Sequence, residues 1–128
     1  MKPFFSIVIA VYNRENLIII ALDSLLNQSY TNWEALIVDD ASTENTPESI
    51  KPFLKDSRLR LIHTERNLGV ARARNLGINN AVGNYITFLD SDDEYKLNHL
   101  SSRYEILIDS YIDLLHGGVE IIGDNYVP

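Results

Sequence analysis

The sequence predicts an α/β fold in three layers, with a mostly parallel sheet covered by helices on both faces. Two observations predict it. Apolar, strand-like segments alternate along the chain with segments in which apolar residues recur at helical spacing. The strand-like segments are apolar at consecutive positions, as in residues 4–11, and this is typical of strands buried on both faces. A length of 128 residues corresponds to one domain with a single core.

The first half of the chain shows this alternation clearly. The predicted strands of the whole chain are residues 4–11, 33–38, 58–63, 85–89 and 112–122. After the first strand, Asn13 is the candidate cap of a helix. The apolar stripe predicted to face the core from this helix is Leu17, Ile20, Ala21, Leu25 and Leu26. A short helix is predicted to end near Lys55, and Pro52 is expected to disturb it.

The second half contains two further predicted helices. One covers residues 70–81 and follows a turn at residues 67–69. The other carries the longest helical stripe of the chain, which is Leu97, Leu100, Tyr104, Leu107, Ile108 and Tyr111. The last predicted strand is interrupted by Gly117 and Gly118, a pattern that indicates a bulge, a kink or close backbone approach.

Composition excludes several classes of protein. A formal net charge of −7 argues against a protein that coats nucleic acid. No apolar stretch approaches the roughly 20 residues that a membrane-spanning helix needs. The chain has no cysteine, so it has no disulfide framework and no thiolate chemistry, which fits a cytoplasmic protein. The three histidines show no metal-ligand spacing, and they are interpreted as structural or exposed residues.

An acidic segment follows the predicted strand at 85–89. Asp90, Asp92 and Asp93 lie around Ser91, and like charges this close repel one another. A divalent cation such as Mg²⁺ or Mn²⁺ would remove the repulsion, since these ions prefer carboxylate oxygens and keep substrate phosphates as further ligands. The alternative is a solvated start of a helix, because Asp and Ser also cap helices.

Polar residues also follow two other predicted strands. Residues 11–13 end the first strand, and Asp39 with Asp40 ends the second. In a parallel sheet the carboxyl ends of the strands share one edge, and ligands bind outside it. These groups should therefore form one rim together with residues 90–92, which favours a binding site over a helix start. One of the two aspartates is expected to contact a base or ribose, and the other to cap a turn.

Arginines are clustered in an otherwise acidic chain, and an arginine cluster suits a discrete anion such as a diphosphate. Neither a Walker loop nor a GxGxxG pattern is present to cradle phosphates. Arg72 and Arg74 are two residues apart on the predicted helix and so point to different sides. At most one of them is expected to face the rim.

Four motifs in this order resemble the family 2 inverting glycosyltransferases of GT-A fold. They are residues 5–13 (FSIVIAVYN), 37–42 (IVDDAS), 67–75 (NLGVARARN) and 88–93 (FLDSDD). The resemblance covers nearly the whole chain. It implies a Rossmann-like αβα arrangement of GT-A type that binds a nucleotide-diphospho-sugar.

The resemblance also implies roles for individual residues. Residues 90–92 would be the DxD motif, with Asp90 near the ribose and Asp92 binding the Mn²⁺ or Mg²⁺ ion that bridges the diphosphate. Asp93 is expected to cap the following helix. Arg74 fits the family's Ala-Arg-Asn segment. The donor-binding residues implied are Ala10, Val11, Tyr12, Asp39, Asp40, Arg74, Asp90 and Ser91, with Asp92 as the metal ligand.

The implied reaction is transfer of a sugar, with UDP as the expected nucleotide, to a hydroxyl of a glycan or polysaccharide acceptor. A general base must deprotonate this hydroxyl. Glu120 and Asp124 are unsupported candidates, and the base is expected beyond Pro128. We therefore expect residues 1–128 to be the donor-binding part of a GT-A domain, with the acceptor-binding part missing.

Two further expectations accompany this resemblance. The full-length protein is expected to be cytoplasmic, at the cytoplasmic face of a membrane with which its missing C-terminal region associates. Ala10 stands where the family often has proline, which is a mild departure.

A non-catalytic α/β module that binds a nucleotide or phosphate at an acidic rim is the alternative function. A phospho-acceptor receiver domain would need an aspartate pair after the first strand and a lysine after the last one. A haloacid-type phosphatase would need a nucleophilic aspartate after the first strand. Here the first strand ends in residues 11–13, which supply neither feature.

Overall fold

A computed structural model describes residues 2–117 of the chain. Strands and helices alternate as predicted, and a 3₁₀ helix follows the second α-helix. In chain order the elements are β1 (Phe5–Val11), α1 (Leu17–Leu26), β2 (Trp33–Asp39), α2 (Thr46–Ile50), the 3₁₀ helix (Lys51–Lys55), β3 (Leu59–His63), α3 (Val70–Asn80), β4 (Tyr85–Phe88) and α4 (His99–Leu107). The change from α to 3₁₀ helix occurs beside Pro52, where the sequence predicts a disturbance.

The described strands form one parallel sheet in the order β3-β2-β1-β4. The chain moves outwards from β1 through β2 to β3, and then returns to the other side of β1 to form β4. The strand order therefore reverses between β1 and β4. Ligands of open α/β sheets bind outside the carboxyl ends of the strands at such a reversal. The topology thus directs attention to the ends of β1 and β4.

Helices cover both faces of the sheet, as the sequence predicts. On one face, alternate β1 residues such as Ile7 and Ile9 join a buried core with Leu22 of α1 and Leu100 of α4. On the other face, α3 approaches so closely that a Cβ built on Gly77 would lie 2.5 Å from Cγ1 of Val8. The three-layer αβα arrangement is confirmed.

The buried face of α1 differs from the predicted one. Its buried residues are Ile18, Ala21, Leu22 and Leu25, whereas Leu17 and Ile20 are exposed. Residues 17–20 are all apolar, so the sequence fits two helical stripes that differ by a small rotation. The predicted stripe is therefore right at Ala21 and Leu25 and wrong at Leu17 and Ile20.

The C-terminal predictions are corrected in two places. Helix α4 is shorter than its predicted stripe, because Leu97 and Tyr111 lie outside it and are exposed. Residues 112–117 form no strand; Ile112 and Leu115 pack against the core from an irregular segment instead. Short apolar runs do not distinguish a strand from such packing. The remainder of the predicted strand, including Gly118, lies outside the described residues.

Among residues 2–117 no helix has the length and apolar character needed to cross a membrane.

Candidate functional site

The acidic segment lies directly after β4, at the carboxyl end of the sheet. Leu89 is buried and extends the pairing with β1, since its N–H donates to the Val8 carbonyl at 3.2 Å. The chain then turns, and the Asp93 N–H donates to the Asp90 carbonyl at 3.0 Å. This turn brings carboxylate oxygens of Asp90, Asp92 and Asp93 within 4.8 Å of one another.

The three carboxylates of this acidic cluster are exposed, and like charges this close repel one another. Partial burial, together with the negative charges of Asp92 and Asp90, raises the pKa of Asp93 above its usual value. Three oxygen donors at this separation suit a hard divalent cation, which would relieve the repulsion. The prediction that Asp93 caps the next helix is wrong, because α4 begins only at His99.

A single arginine of α3 reaches the acidic cluster. Nη2 of Arg74 lies 2.8 Å from Oδ1 of Asp90, and its guanidinium carbon lies 6.0 Å from the centre of the Phe88 ring. Arg72 is exposed on α3. The two arginines therefore differ as predicted, and Arg74 is the one at the rim. A shallow cavity of about 450 Å³ lies beside it and is lined by Ala71, Arg74, Asn75, Ile78 and Phe88.

The loops after β1 and β2 are joined through Asn13. Its backbone has a φ of 50°, in the left-handed region that Asn tolerates well. Its Oδ1 accepts N–H groups of Thr43 at 2.8 Å and Glu44 at 3.2 Å, and its own N–H donates to Ser42 Oγ. Asn13 therefore does not cap α1, whose N-cap is Asn16. Asn13 instead holds the loop after β1 against the loop after β2 at the rim.

Asp40 has a structural partner set. Its carboxylate is buried and accepts the backbone N–H groups of Leu68 and Gly69, each at 2.9 Å, and the hydroxyl of Thr64 at 3.0 Å. Gly69 has a φ of 90°, which favours glycine, and α3 starts at the next residue. Asp40 thus holds the turn from which α3, with Arg74, begins.

Asp39 has a different environment although it is also buried. Its Oδ1 accepts the hydroxyl of Ser42. Its Oδ2 lies 3.4 Å from Nδ1 of His63, whose side chain is 57% exposed at the carboxyl end of β3. The prediction that His63 is structural or exposed agrees with its exposure but does not include its place on the rim. Its position as the last residue of a strand in a parallel sheet was the available signal.

The remaining predicted residues lie where the two central strands end. Val11 is buried, and its carbonyl accepts the Asp40 N–H at 2.9 Å, whereas Ala10 is partly buried. Tyr12 is 44% exposed, so its ring is accessible from solvent. Ser91 is partly buried within the acidic turn. The structure thus brings the predicted residues to the carboxyl ends of β1, β2 and β4, on one edge.

Comparison with known proteins relates this edge to an enzyme family. The model of Glycosyl transferase family 2 matches residues 6–127. The WfgD protein of Escherichia coli, a UDP-Glc:alpha-D-GlcNAc-diphosphoundecaprenol beta-1,3-glucosyltransferase, is 38% identical over 122 residues, which are 95% of this chain and 48% of WfgD.

Two solved structures share the fold. TarS of S. aureus in complex with UDP-GlcNAc matches with a TM-score of 0.79 and 29% identity, over 85% of this chain and 32% of the solved one. The mannosyltransferase PcManGT of Pyrobaculum calidifontis in complex with GDP-Man and Mn²⁺ matches with a TM-score of 0.77 and 26% identity. This match covers 85% of this chain and 33% of the solved one. The chain spans about half of WfgD and a third of each solved chain. With the fold of GT-A type and a family model that matches nearly its whole length, the chain belongs to glycosyl transferase family 2.

Proposed function

We propose that this chain binds the donor of an inverting glycosyltransferase together with a divalent cation. The donor is a nucleotide-diphospho-sugar in which the nucleotide is UDP. The acidic cluster beside the strand-order reversal is the observation that carries the proposal. Its carboxylates can hold a divalent cation, and the cation would supply the positive charge that a diphosphate needs there. The complex of TarS with UDP-GlcNAc supports the choice of donor, and the complex of PcManGT with GDP-Man and Mn²⁺ supports the cation. The family match favours this enzyme over the non-catalytic binding module.

The members of the acidic cluster are proposed to have different tasks. Oδ1 of Asp90 is paired with Nη2 of Arg74, and Asp90 is proposed to lie on the ribose side of the donor. Asp92 is the proposed ligand of Mn²⁺ or Mg²⁺, with Asp93 close enough to contribute. When bound, the cation would supply positive charge to the diphosphate of the leaving nucleotide. Arg74 holds Asp90 in place and adds its own charge to this side of the rim.

Base recognition is proposed to depend on Asp39 rather than on Asp40. Both oxygens of Asp40 already accept backbone N–H groups. Among residues 2–117, the hydrogen-bond partner of Oδ2 of Asp39 is Nδ1 of the exposed His63 imidazole, at 3.4 Å. A movement of that side chain would give a base N–H access to the carboxylate oxygen, with Tyr12 nearby on the same rim.

The acceptor side of the reaction rests on the relatives. WfgD acts on a lipid-linked saccharide, and we propose a glycan or polysaccharide acceptor for the full-length protein. We further propose that it works in the cytoplasm, at the cytoplasmic face of a membrane. The candidate bases Glu120 and Asp124 lie outside the described residues, and we place the general base outside residues 2–117.

The contribution of the diphosphate to binding tests the proposal. We expect the chain to bind UDP in the presence of Mn²⁺ and to bind uridine far more weakly, because the cation acts through the diphosphate. Calorimetric titration with UDP and with uridine, each in the presence of Mn²⁺, measures this. Equal affinity for UDP and uridine would contradict a diphosphate site at the acidic cluster.

A further inference from the structure

The segment that follows the acidic cluster has no regular secondary structure between β4 and α4, yet a buried amide holds it. Gln28, next to the C-terminal end of α1, is only 5% exposed. Its Nε2 donates to the carbonyl of Lys96 at 2.7 Å and to that of Ser24 at 3.0 Å. Its Oε1 accepts the N–H of Leu100, in the first turn of α4, at 3.0 Å. Every polar atom of this side chain is therefore used to join α1 to residues 96–100.

Tyr95 attaches the same segment to the sheet. Its hydroxyl donates to the Phe88 carbonyl at 2.6 Å and lies 3.3 Å from the hydroxyl of Thr87. Its backbone N–H donates to Ser24 Oγ of α1 at 3.0 Å. Burial raises the pKa of Tyr95 to about 12, so the hydroxyl keeps the proton that it donates at neutral pH.

A stacked histidine and a serine complete this attachment. The ring of His99 lies parallel to that of Tyr95, with centroids 3.7 Å apart. Burial, and then the charge of Arg103, lowers the pKa of His99 to about 4, so the stacked imidazole is neutral at neutral pH. The N–H of Ser29 donates to the Leu97 carbonyl at 3.1 Å. Consecutive residues after the cluster are thus held by α1 and by the residues that directly follow it.

These contacts act on the acidic cluster from its far end. At the near end, pairing of Leu89 with β1 and the ion pair of Arg74 hold Asp90. At the far end, Tyr95 lies two residues after Asp93, and its hydroxyl donates to the carbonyl of Phe88, the last residue of β4. The loop that contains the three carboxylates is therefore closed at its base by the Tyr95 hydroxyl. Without this closure, mutual repulsion would favour separation of the carboxylates.

We propose that Gln28 and Tyr95 are positioning residues for the divalent-cation site, holding the Asp90–Asp93 turn in a geometry that a cation can use although neither residue contacts the cation. The inference rests on the proposed function of the acidic cluster. Residues that orient metal ligands from behind commonly change metal affinity about 10-fold to 100-fold when they are replaced. We expect an effect near the lower end, since these residues act through the backbone of the loop.

Tyr95→Phe is the main test, because it removes only the hydroxyl. Tyr85→Phe is its matched control. Tyr85 is the first residue of β4, and its hydroxyl also donates to a backbone carbonyl, that of Ile112 at 2.9 Å. The measured quantity is the Mn²⁺ concentration that gives half-maximal UDP binding. We expect about a tenfold increase for Tyr95→Phe and for Gln28→Met, and little change for Tyr85→Phe. Thermal melting shows whether each variant is folded at the titration temperature.

The outcomes separate the inference from the proposed function. If Tyr95 only stabilises the fold, Tyr95→Phe will melt at a lower temperature but need the same Mn²⁺ concentration as the wild type. That result would overturn the inference and leave the proposed function standing. An equal increase in Tyr85→Phe would overturn it as well. UDP binding by the wild type that is independent of Mn²⁺ would contradict the proposed cation site itself, and the inference with it. If Gln28→Met does not fold, Tyr95→Phe still decides.

Discussion

At the scale of single residues, adjacent identical side chains have different partners. Asp39 and Asp40 are neighbours and both are buried. Asp40 accepts the backbone N–H groups of Leu68 and Gly69 with its two oxygens. Asp39 accepts the hydroxyl and, at 3.4 Å, the N–H of Ser42 with one oxygen, and its other oxygen faces an exposed imidazole. The alternation of side chains along a strand end places them on different sides of the chain. The sequence could indicate that one would cap a turn and the other remain available, but it could not indicate which.

Substitution of the two aspartates by asparagine should separate these roles. In Asp40→Asn an amide NH₂ replaces one acceptor oxygen and faces a backbone N–H, so a buried donor loses its partner. We expect the free energy of unfolding to fall by about 1–3 kcal/mol. Asp39→Asn keeps the oxygen that accepts from Ser42, and we expect it to reduce UDP affinity more than stability. Urea denaturation and UDP titration in Mn²⁺ measure the two effects, and a reversed pattern would contradict the assignment.

The pKa of Asp93 predicts a pH dependence. A raised pKa means that the folded chain binds this proton more tightly than the unfolded chain. Stability from this group is therefore lost as pH rises from the ordinary value of 3.8 through the raised one. Without metal, Asp93→Asn should melt slightly above the wild type at pH 7, and this difference should disappear in acid.

Saturating Mn²⁺ should reverse that order at pH 7, because the cation stabilises the wild type by binding its carboxylates. Melting curves with and without Mn²⁺, at two pH values, measure both effects. A variant that melts below the wild type in metal-free buffer at pH 7 would show that the cluster is not repulsive.

At the scale of elements, α3 depends on close contact with the sheet. Gly77 faces Val8 of β1 and Val38 of β2. A Cβ on Gly77 would lie 2.5 Å from Cγ1 of Val8, which leaves no room for a methyl group, and 3.4 Å from Cγ2 of Val38. Arg74 lies about one turn earlier on the same helix and reaches Asp90. The small residue that allows the helix to approach the sheet thus also determines where the arginine stands. A single sequence does not reveal such a need for a glycine inside a helix.

Gly77→Ala should therefore be destabilising although alanine is the better helix former. Overpacking a core typically costs about 1–3 kcal/mol, which exceeds the gain in helix propensity of about 1 kcal/mol. Asn79→Ala, at an exposed position of α3, is the control and should change stability little. Urea denaturation compares the two. Equal stability of both variants would mean that α3 is not held against Val8 as described.

At the scale of the whole molecule, the parallel sheet brings together loops that are distant in sequence. Consecutive apolar residues made the strands and their parallel arrangement predictable, and the carboxyl-end rule then grouped the polar residues on one rim. The predicted face of α1 is wrong in the first turn of the helix, because residues 17–20 are uniformly apolar and fit two stripes. Asn13 was misassigned because a capping residue and a loop-bridging residue have the same side chain. Contacts such as those of Gln28 depend on tertiary packing, which local patterns do not contain.

Metal-dependent nucleotide binding tests the central claim most directly. We expect calorimetric titration of the chain with UDP to show strong binding in Mn²⁺ and weak binding in a metal chelator. The Asp92→Asn variant should lose most of the increase in UDP affinity that Mn²⁺ gives. The Glu94→Gln variant should retain that increase, because Glu94 is next to the cluster but not part of it. UDP affinity that is the same with and without Mn²⁺, or an Asp92→Asn variant that responds to Mn²⁺ as the wild type does, would contradict a cation site at the end of β4.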